Sequence, residues 1–598
     1  MNAPVKPTAE APPLWSLADL YAGREDPQLE ADLAEARRSS VDLSALQGRF
    51  LAARAAPAEL GALIATAAAL HEGVTNKLWA VGAYAGLAAS TARDDPAWAR
   101  FEADLRARGA QISTASLFLP LELNQLEDAE IEAALAAHPP AQRWRSWLRR
   151  IRLGRPHELT HDLEKLLLER APAVSNWVRL FDETLAKLDV RAGGKRLTLP
   201  ETLNRMSDPD PAWRKSAAQG LARALSANSS ALTLVFNTLA FEKQVEDRWR
   251  RYATPAAARH LANEIDAEAV AALEAAVVAS YPRLSHRYYA LKAKAMGKRR
   301  LDHWDRNAPI SSGPARRYGW AEAQAIVLDS FASLAPGFAA TAQRFFARPW
   351  IDAQPRPGKQ SGAYSHPVTS ERHPYVFLNF MGERRDVLTL AHELGHAVHQ
   401  TLAAPRGTLL ADTPLTLAET ASIFGEGLVF ERLLAEAAGP ERRALIAGRI
   451  EDALNTVVRQ IAFHRFETRF HHLRPKGELS AGEIGGLFVE TIGESLGPAV
   501  RLNPGYETYW SYVSHFVHSP FYVYAYAFGT LLVEGLMAAR KRAPSGFAPL
   551  YGDLLAAGGT RTYVEALAPF GLDPRDPTFW SAGCARLERL VDDFEALV

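Results

Sequence analysis

Apolar side chains recur at intervals of three and four through most of this chain, and only in short stretches do they alternate with polar ones. That spacing lays them along one face of an α-helix, so a mostly α-helical body is the expectation before any motif is considered. In DAEAVAALEAAVVASYPRL (266–284) the pattern is unbroken, charge is confined to one end, and Pro282 marks the stop. The clearest departure is HPYVFLNF (373–380), whose aromatic and β-branched residues suit a short strand, with SGAYS (361–365) as its partner across a loop. A chain of 598 residues, 48% of them hydrophobic, is long enough for a large core and more than one lobe. Residues 1–13, rich in Ala and Pro, read as a loose tail, and the Gly and Pro of RAGGKRLTLP (191–200) suggest a boundary. The expected division is therefore a flexible tail (1–13), an N-terminal helical lobe (14–190) and a second domain (191–598).

Charge and cysteine content exclude several functions. Lys and Arg together number 68, as do Asp and Glu, so there is no net field to draw in nucleic acid or anionic lipid. Cys584 is the single cysteine, which rules out an intramolecular disulfide and every cysteine-based zinc pattern. Any metal must be held by His, Asp and Glu. The opening MNAPVKPTAEAPPLW has no apolar signal core, and acidic residues follow it, so a cytoplasmic location is expected. FYVYAYAFGTLLV (521–533) is the most membrane-like stretch, but it is shorter than the roughly 18–20 apolar residues a span needs, and it reads as a buried helix.

The segment LAHELGHAVHQ (390–400) carries the chemistry. With apolar Val387, Leu390, Ala391, Leu394, Ala397 and Val398 at helical spacing, His392 and His396 stand one turn apart, about 40° apart in azimuth and about 6 Å apart along the axis. Both imidazoles can reach one ion. Glu393, turned about 100° from His392, is kept off the metal but near a water upon it. Zinc suits two imidazoles, and a catalytic zinc needs a third protein ligand plus an open position. Glu419 in LAETASIFGEG (417–427), expected on a second helix, is the best candidate and completes a His₂Glu set. His399 shares the face of His392 about 10 Å along the axis, either supporting the ligands from behind or serving structure alone. Glu426 either orients a ligand histidine or is an ordinary solvated glutamate. Paired His471 and His472 read as solvated surface residues.

HELGHAVH, preceded by GAYS and HPYVFLNF and followed by ETASIFGE, resembles the oligoendopeptidase F and thimet oligopeptidase family of zinc metallopeptidases, oligoendopeptidase F more closely. YWSYVSHFVHSPFYVYAYAFG (509–529) is similar to the family's C-terminal His and Tyr segment, and WSLADLY (15–21) fits its opening. The resemblance implies a two-lobed helical body around a deep channel that admits short peptides and excludes folded proteins. It implies one zinc ion on His392, His396 and Glu419, and Glu393 as general base. It further implies that His515 and a tyrosine assist at the developing oxyanion, with Tyr522 the first choice, Tyr524 and Tyr526 behind it, and His518 as the alternative to His515. On the residues alone, the plainer reading of any one of these tyrosines is a core side chain with a satisfied hydroxyl. The 361–380 segment, with Gly362 and Tyr364, either holds an extended peptide along an exposed edge or is a buried hairpin.

The expected function is thus a zinc-dependent oligoendopeptidase, with short peptides rather than nucleic acid or membrane as partners. A helical zinc carboxypeptidase would share the motif, and a non-catalytic peptide-binding scaffold with structural zinc would share the ligands but would have no need of Glu393. GESLG (493–497) matches a serine-hydrolase pattern but lies in the wrong context. Ser480 and Glu483 form a capping box that opens a helix, and Ser495 falls near its end.

Overall fold

A computed structural model describes residues 11–310 and 316–598. Of the expected tail, residues 1–10 lie outside the described residues, while the Pro13 carbonyl already accepts a hydrogen bond from the Ala353 N–H at 2.8 Å.

The body is mostly α, as the spacing implies. One device recurs at helix starts. Asp26, Asp95, Asp210 and Asp576 each cap a helix through the side-chain carboxylate, and each is followed by proline at the first helical position. The cap satisfies an otherwise unpaired N–H, and proline there loses no hydrogen bond because that N–H has no partner in the helix. Ser480 and Glu483 form the expected capping box, and Ser495 is buried, its hydroxyl spent on the Ile492 carbonyl.

The chain sorts into two compact units, each assembled from three separated segments. The first comprises Met1–Arg155, Ala315–Ala435 and Ala539–Gly571; the second comprises Pro156–Pro314, Glu436–Ala538 and Leu572–Val598. The linear boundary expected near residue 190 falls inside the second unit.

The first unit contains a core built from Leu43, Phe50, Leu60, Ile64, Leu123 and Trp144, joined by Leu410 from far along the chain. It also carries a three-stranded sheet of β1 (Ile351–Asp352), β2 (Tyr364–His366) and β3 (Tyr375–Phe377). The order is β1-β3-β2, with β3 parallel to β1 and antiparallel to β2. Both strands expected from the sequence are present, and β3, between the other two, is wholly buried. The sheet packs against helix α1 (Arg384–Ala403), which is followed by α2 (Thr420–Glu436).

In the second unit, α3 (Arg459–Leu473) supplies Phe463, Phe466 and Phe470 to an aromatic core with Phe236, Phe488 and Phe516. The 521–533 stretch becomes the start of α4 (Tyr524–Arg542), and among the described residues no helix is long and apolar enough to cross a membrane. His471 departs from expectation. It is 6% exposed, with one ring against Phe521, whereas His472 remains on the surface. Residue 471 falls on the inner face of α3, one turn beyond Glu467, and adjacency to an exposed histidine conceals this in the sequence.

Candidate metal centre

Helix α1 opens with a reciprocal cap between Glu383 and Asp386, then buries Val387, Leu390, Ala391, Leu394, Ala397 and Val398. This leaves His392 and His396 on a partly exposed face, their ring centroids 5.0 Å apart. The third group arrives because α1 and α2 meet backbone to backbone. A Cβ on Gly395 would lie 2.4 Å from the Ala421 carbonyl oxygen and 2.7 Å from the Ser422 Cα, and a Cβ on Gly425 would lie 3.1 Å from the Ala391 carbonyl oxygen.

Glu419, expected on a second helix, stands at the junction of a short helix (Leu415–Ala418) and α2, where its carbonyl accepts from the Ile423 N–H. From there its Oε2 stands 3.4 Å from His392 Nε2 and 3.3 Å from His396 Nε2. One ligand atom from each of the three residues falls within 4.8 Å of the others, and they form a group able to hold a metal among the described residues.

Supporting contacts hold Glu419 and His392. The Ser422 hydroxyl donates to Glu419 Oε2 at 2.8 Å. His392 Nδ1 faces Glu426 Oε2 at 3.5 Å, the orienting position considered for Glu426 in the sequence. His399 is 4% exposed, with Nε2 3.3 Å from the Thr413 hydroxyl and the Ala418 carbonyl beside it, one residue before Glu419. It therefore braces the segment that delivers the third ligand. Sequence reasoning missed Gly395, Gly425 and Ser422. Glycine inside a helix is costly relative to alanine, and that cost was the available signal of a close approach.

The electrostatics suit a cation. Burial opposes charge on His392, yet Glu419 and Glu426 outweigh it and raise the imidazole to about 10. Burial likewise opposes ionisation of Glu419, but hydrogen bonds and charge from the two imidazoles hold it well below the usual carboxylate range. A positive charge between the rings, whether proton or metal ion, is thus favoured. Two imidazole nitrogens and one carboxylate, with His392 and Glu419 each oriented by a neighbour, fit zinc with an open position. Glu393 differs: it is 6% exposed, and burial raises its carboxyl above the ordinary value, with the two histidines and the Ser365 N–H acting in the other direction.

Beside the cluster lies a cavity of about 130 Å³ whose lining includes Trp79, Val368, His396, His399 and Gln400. Strand β2 is an edge strand tied to α1 by Ser365 and Gln400, whose side chains share a 2.8 Å hydrogen bond. Gly362 is exposed with φ +92°, and its carbonyl accepts from Asn379 Nδ2. The Tyr364 hydroxyl donates to Ser90 at 2.7 Å, and its ring stacks on Phe377, so this side chain is already engaged within the first unit.

The second unit gathers another group. His515 Nε2 is 3.0 Å from the Tyr526 hydroxyl, the His515 and Tyr522 rings are stacked at 6.0 Å, and Tyr522 meets Tyr526 edge-on at 5.4 Å. Burial, then the charges of His518 and Arg459, lower the His515 imidazole. Tyr524, named with the substrate-binding tyrosines, is instead fully buried with its hydroxyl bound by Asn263 and His260, so it is a core side chain. Residues 524 and 526 leave α4 about 200° apart in azimuth, and Tyr522, just before the helix, meets Tyr526 on its side. His518 is exposed and bonded to Asp182 at 2.8 Å.

The family model described as peptidase family M3 matches residues 336–586, and one described as oligopeptidase F matches residues 122–189; together they span more than half of the chain. Over 498 residues the chain is 23% identical to oligopeptidase PepF of Bacillus subtilis, covering 82% of this chain and 74% of that protein. It is 25% identical over 508 residues to group B oligopeptidase PepB of Streptococcus agalactiae, covering 83% and 84% respectively. The fold is similar to that of a solved chain from Chlamydophila abortus, with TM-score 0.85, 20% identity and 98% of each chain covered. It is also similar to oligoendopeptidase-F from Enterococcus faecium, with TM-score 0.69, 19% identity, and 96% of this chain and 99% of that one covered.

Proposed function

Because the chain belongs to peptidase family M3 and is a metallopeptidase, a hydrolase of peptide bonds, we propose that it is a zinc-dependent oligoendopeptidase cutting internal bonds of short, unstructured peptides. The observation that carries this reading is the convergence of Glu419 within 4.8 Å of His392 and His396, which stand on the helix that also carries buried Glu393. These three residues would hold zinc, which when bound supplies a Lewis acid that polarises a carbonyl and lowers the pKa of coordinated water to roughly 7.

The remaining work falls to the chain's own groups. Glu393, with a proton affinity raised by burial, takes a proton from the attacking water and returns it to the departing amine. His515 and Tyr522 direct donors at the oxygen where negative charge develops, and the Tyr526 hydroxyl fixes the His515 ring. The β2 edge offers main-chain groups to an extended peptide, with Gly362 leaving space beside it, and the cavity next to His396 receives a side chain.

Mass spectrometry of products from unstructured peptides of graded length tests this, with the Glu393→Gln protein in parallel. Internal cuts made by the wild type alone are expected. Stepwise trimming from the C-terminus would make the protein a carboxypeptidase, and no cleavage by zinc-loaded wild type would favour a binding protein.

A further inference from the structure

The second unit buries a carboxyl that the proposed reaction does not use. Glu467, on α3, is 0% exposed and has no ion-pair partner among the described residues. Burial pushes it up to about 8, with the Phe521 N–H and the charges of Arg259 and Lys243 acting in the other direction. Its Oε1 accepts the Phe521 N–H at 2.8 Å, while among the described residues its Oε2 has no hydrogen-bond partner. A carboxyl so placed is costly to bury and earns retention through what it holds.

What it holds is strained. Phe521 has φ +61°, the left-handed region that a bulky aromatic residue rarely adopts, and it is buried with its ring 5.0 Å from that of His471 and 5.9 Å from that of His464. Such conformations persist only where the surroundings over-determine them. The flanking residues are fixed too. Arg259 Nε donates to the Pro520 carbonyl at 3.3 Å, its guanidinium stands 5.7 Å from the centre of the Tyr522 ring, and the Tyr522 N–H donates to the Ser519 carbonyl. Residues 520, 521 and 522 are thus each held from outside their own segment, immediately before Tyr522 stacks with His515.

We propose that Glu467 is a positioning residue of the peptidase reaction, its carboxyl holding Phe521 in the left-handed conformation that turns Tyr522 toward His515 and Tyr526. The proposal rests on the reading of His515 and Tyr522 as the donors that meet the carbonyl oxygen. Without the bond, Phe521 relaxes toward ordinary φ and Tyr522 swings away, although no group touching substrate has been altered.

Glu467→Ala and Glu467→Gln test this in the full-length, zinc-loaded protein, through steady-state cleavage of an internally quenched peptide and deuterium uptake across residues 515–526. For Glu467→Ala, kcat is expected to fall about 10- to 100-fold with KM within about twofold, zinc content unchanged, and faster exchange in 515–526 but not in α3. Glu467→Gln keeps an acceptor for the Phe521 N–H and should retain kcat within about threefold. Combined with Tyr522→Phe, Glu467→Ala should add no further loss, since both act through one group. Wild-type kcat and exchange in Glu467→Ala would overturn the proposal, as would an equal fall in both variants with exchange unaltered, or losses that add in full to that of Tyr522→Phe. If Glu467→Ala does not fold, Glu467→Asp, one methylene short of the Phe521 N–H, takes its place in the same comparison. If the wild type cleaves no peptide, the peptidase reading fails, and exchange across 515–526 still decides whether Glu467 holds the segment.

Discussion

Glu393 and Glu419 stand near the same two histidines, yet their surroundings push their proton affinities apart, the first upward by burial and the second downward by the imidazoles. Such a split suits the proposed roles, one carboxyl moving protons and the other holding a cation. Glu393→Gln should therefore keep zinc, by metal analysis, while kcat drops on the order of 10³-fold, and His396→Ala should lose the metal itself. Buried histidines make a separate prediction. Burial lowers His464 and His471 to about 3, with His260 adding to the first and Lys243 and His472 to the second, so both are neutral in the fold. Unfolded, each takes a proton below roughly pH 6.5, so stability present above that pH is lost progressively as pH falls toward 3. Each contributes a slope of about 1.4 kcal/mol per pH unit in that window. Urea midpoints between pH 7.5 and 5 should fall less steeply in His471→Gln than in wild type, and equal slopes would show that His471 is not a neutral buried group.

At the scale of elements, the metal centre depends on how closely α1 and α2 approach. Gly395→Ala keeps every ligand and removes a helix-weakening glycine, but its Cβ would lie 2.4 Å from the Ala421 carbonyl oxygen, two residues past Glu419. The helices must part, at a cost of about 1–3 kcal/mol that outweighs the helix-propensity gain of about 1 kcal/mol. Weaker zinc binding by titration and a lower Tm are expected. Gly486→Ala, whose Cβ would meet nothing within 4 Å, serves as the control and should be neutral or stabilising. The helix bearing His392 and His396 was legible in the sequence because ligand spacing and apolar spacing share one period. The strands at 364–366 and 375–377 were legible from their aromatic and β-branched content. Glu419 was legible as a residue but not as a junction, and Tyr524 was not separable from Tyr522 and Tyr526. Those depend on which face of a helix meets a neighbour, and a run of similar aromatic residues does not record this.

For the whole molecule, the sequence suggested a cut near residue 190, whereas compactness joins residues 1–155 to 315–435 and 539–571. A linear reading registers glycine and proline but not the return of a distant segment. Leu410, buried with Leu43, Phe50 and Leu60, is such a return. A fragment of residues 191–598 is therefore expected not to melt cooperatively in calorimetry, since it leaves Leu410 and its neighbours without their partners; a soluble fragment with native helicity and a sharp transition would contradict the interleaved division. The interleaving also bears on how the protein is made. At translation rates of about 5–20 residues per second, on the order of 20–80 s separate the emergence of residue 155 from that of residue 571, the last of its unit. For that interval the first segment of the unit waits on the ribosome for its last, with surface that later segments will cover exposed to other chains.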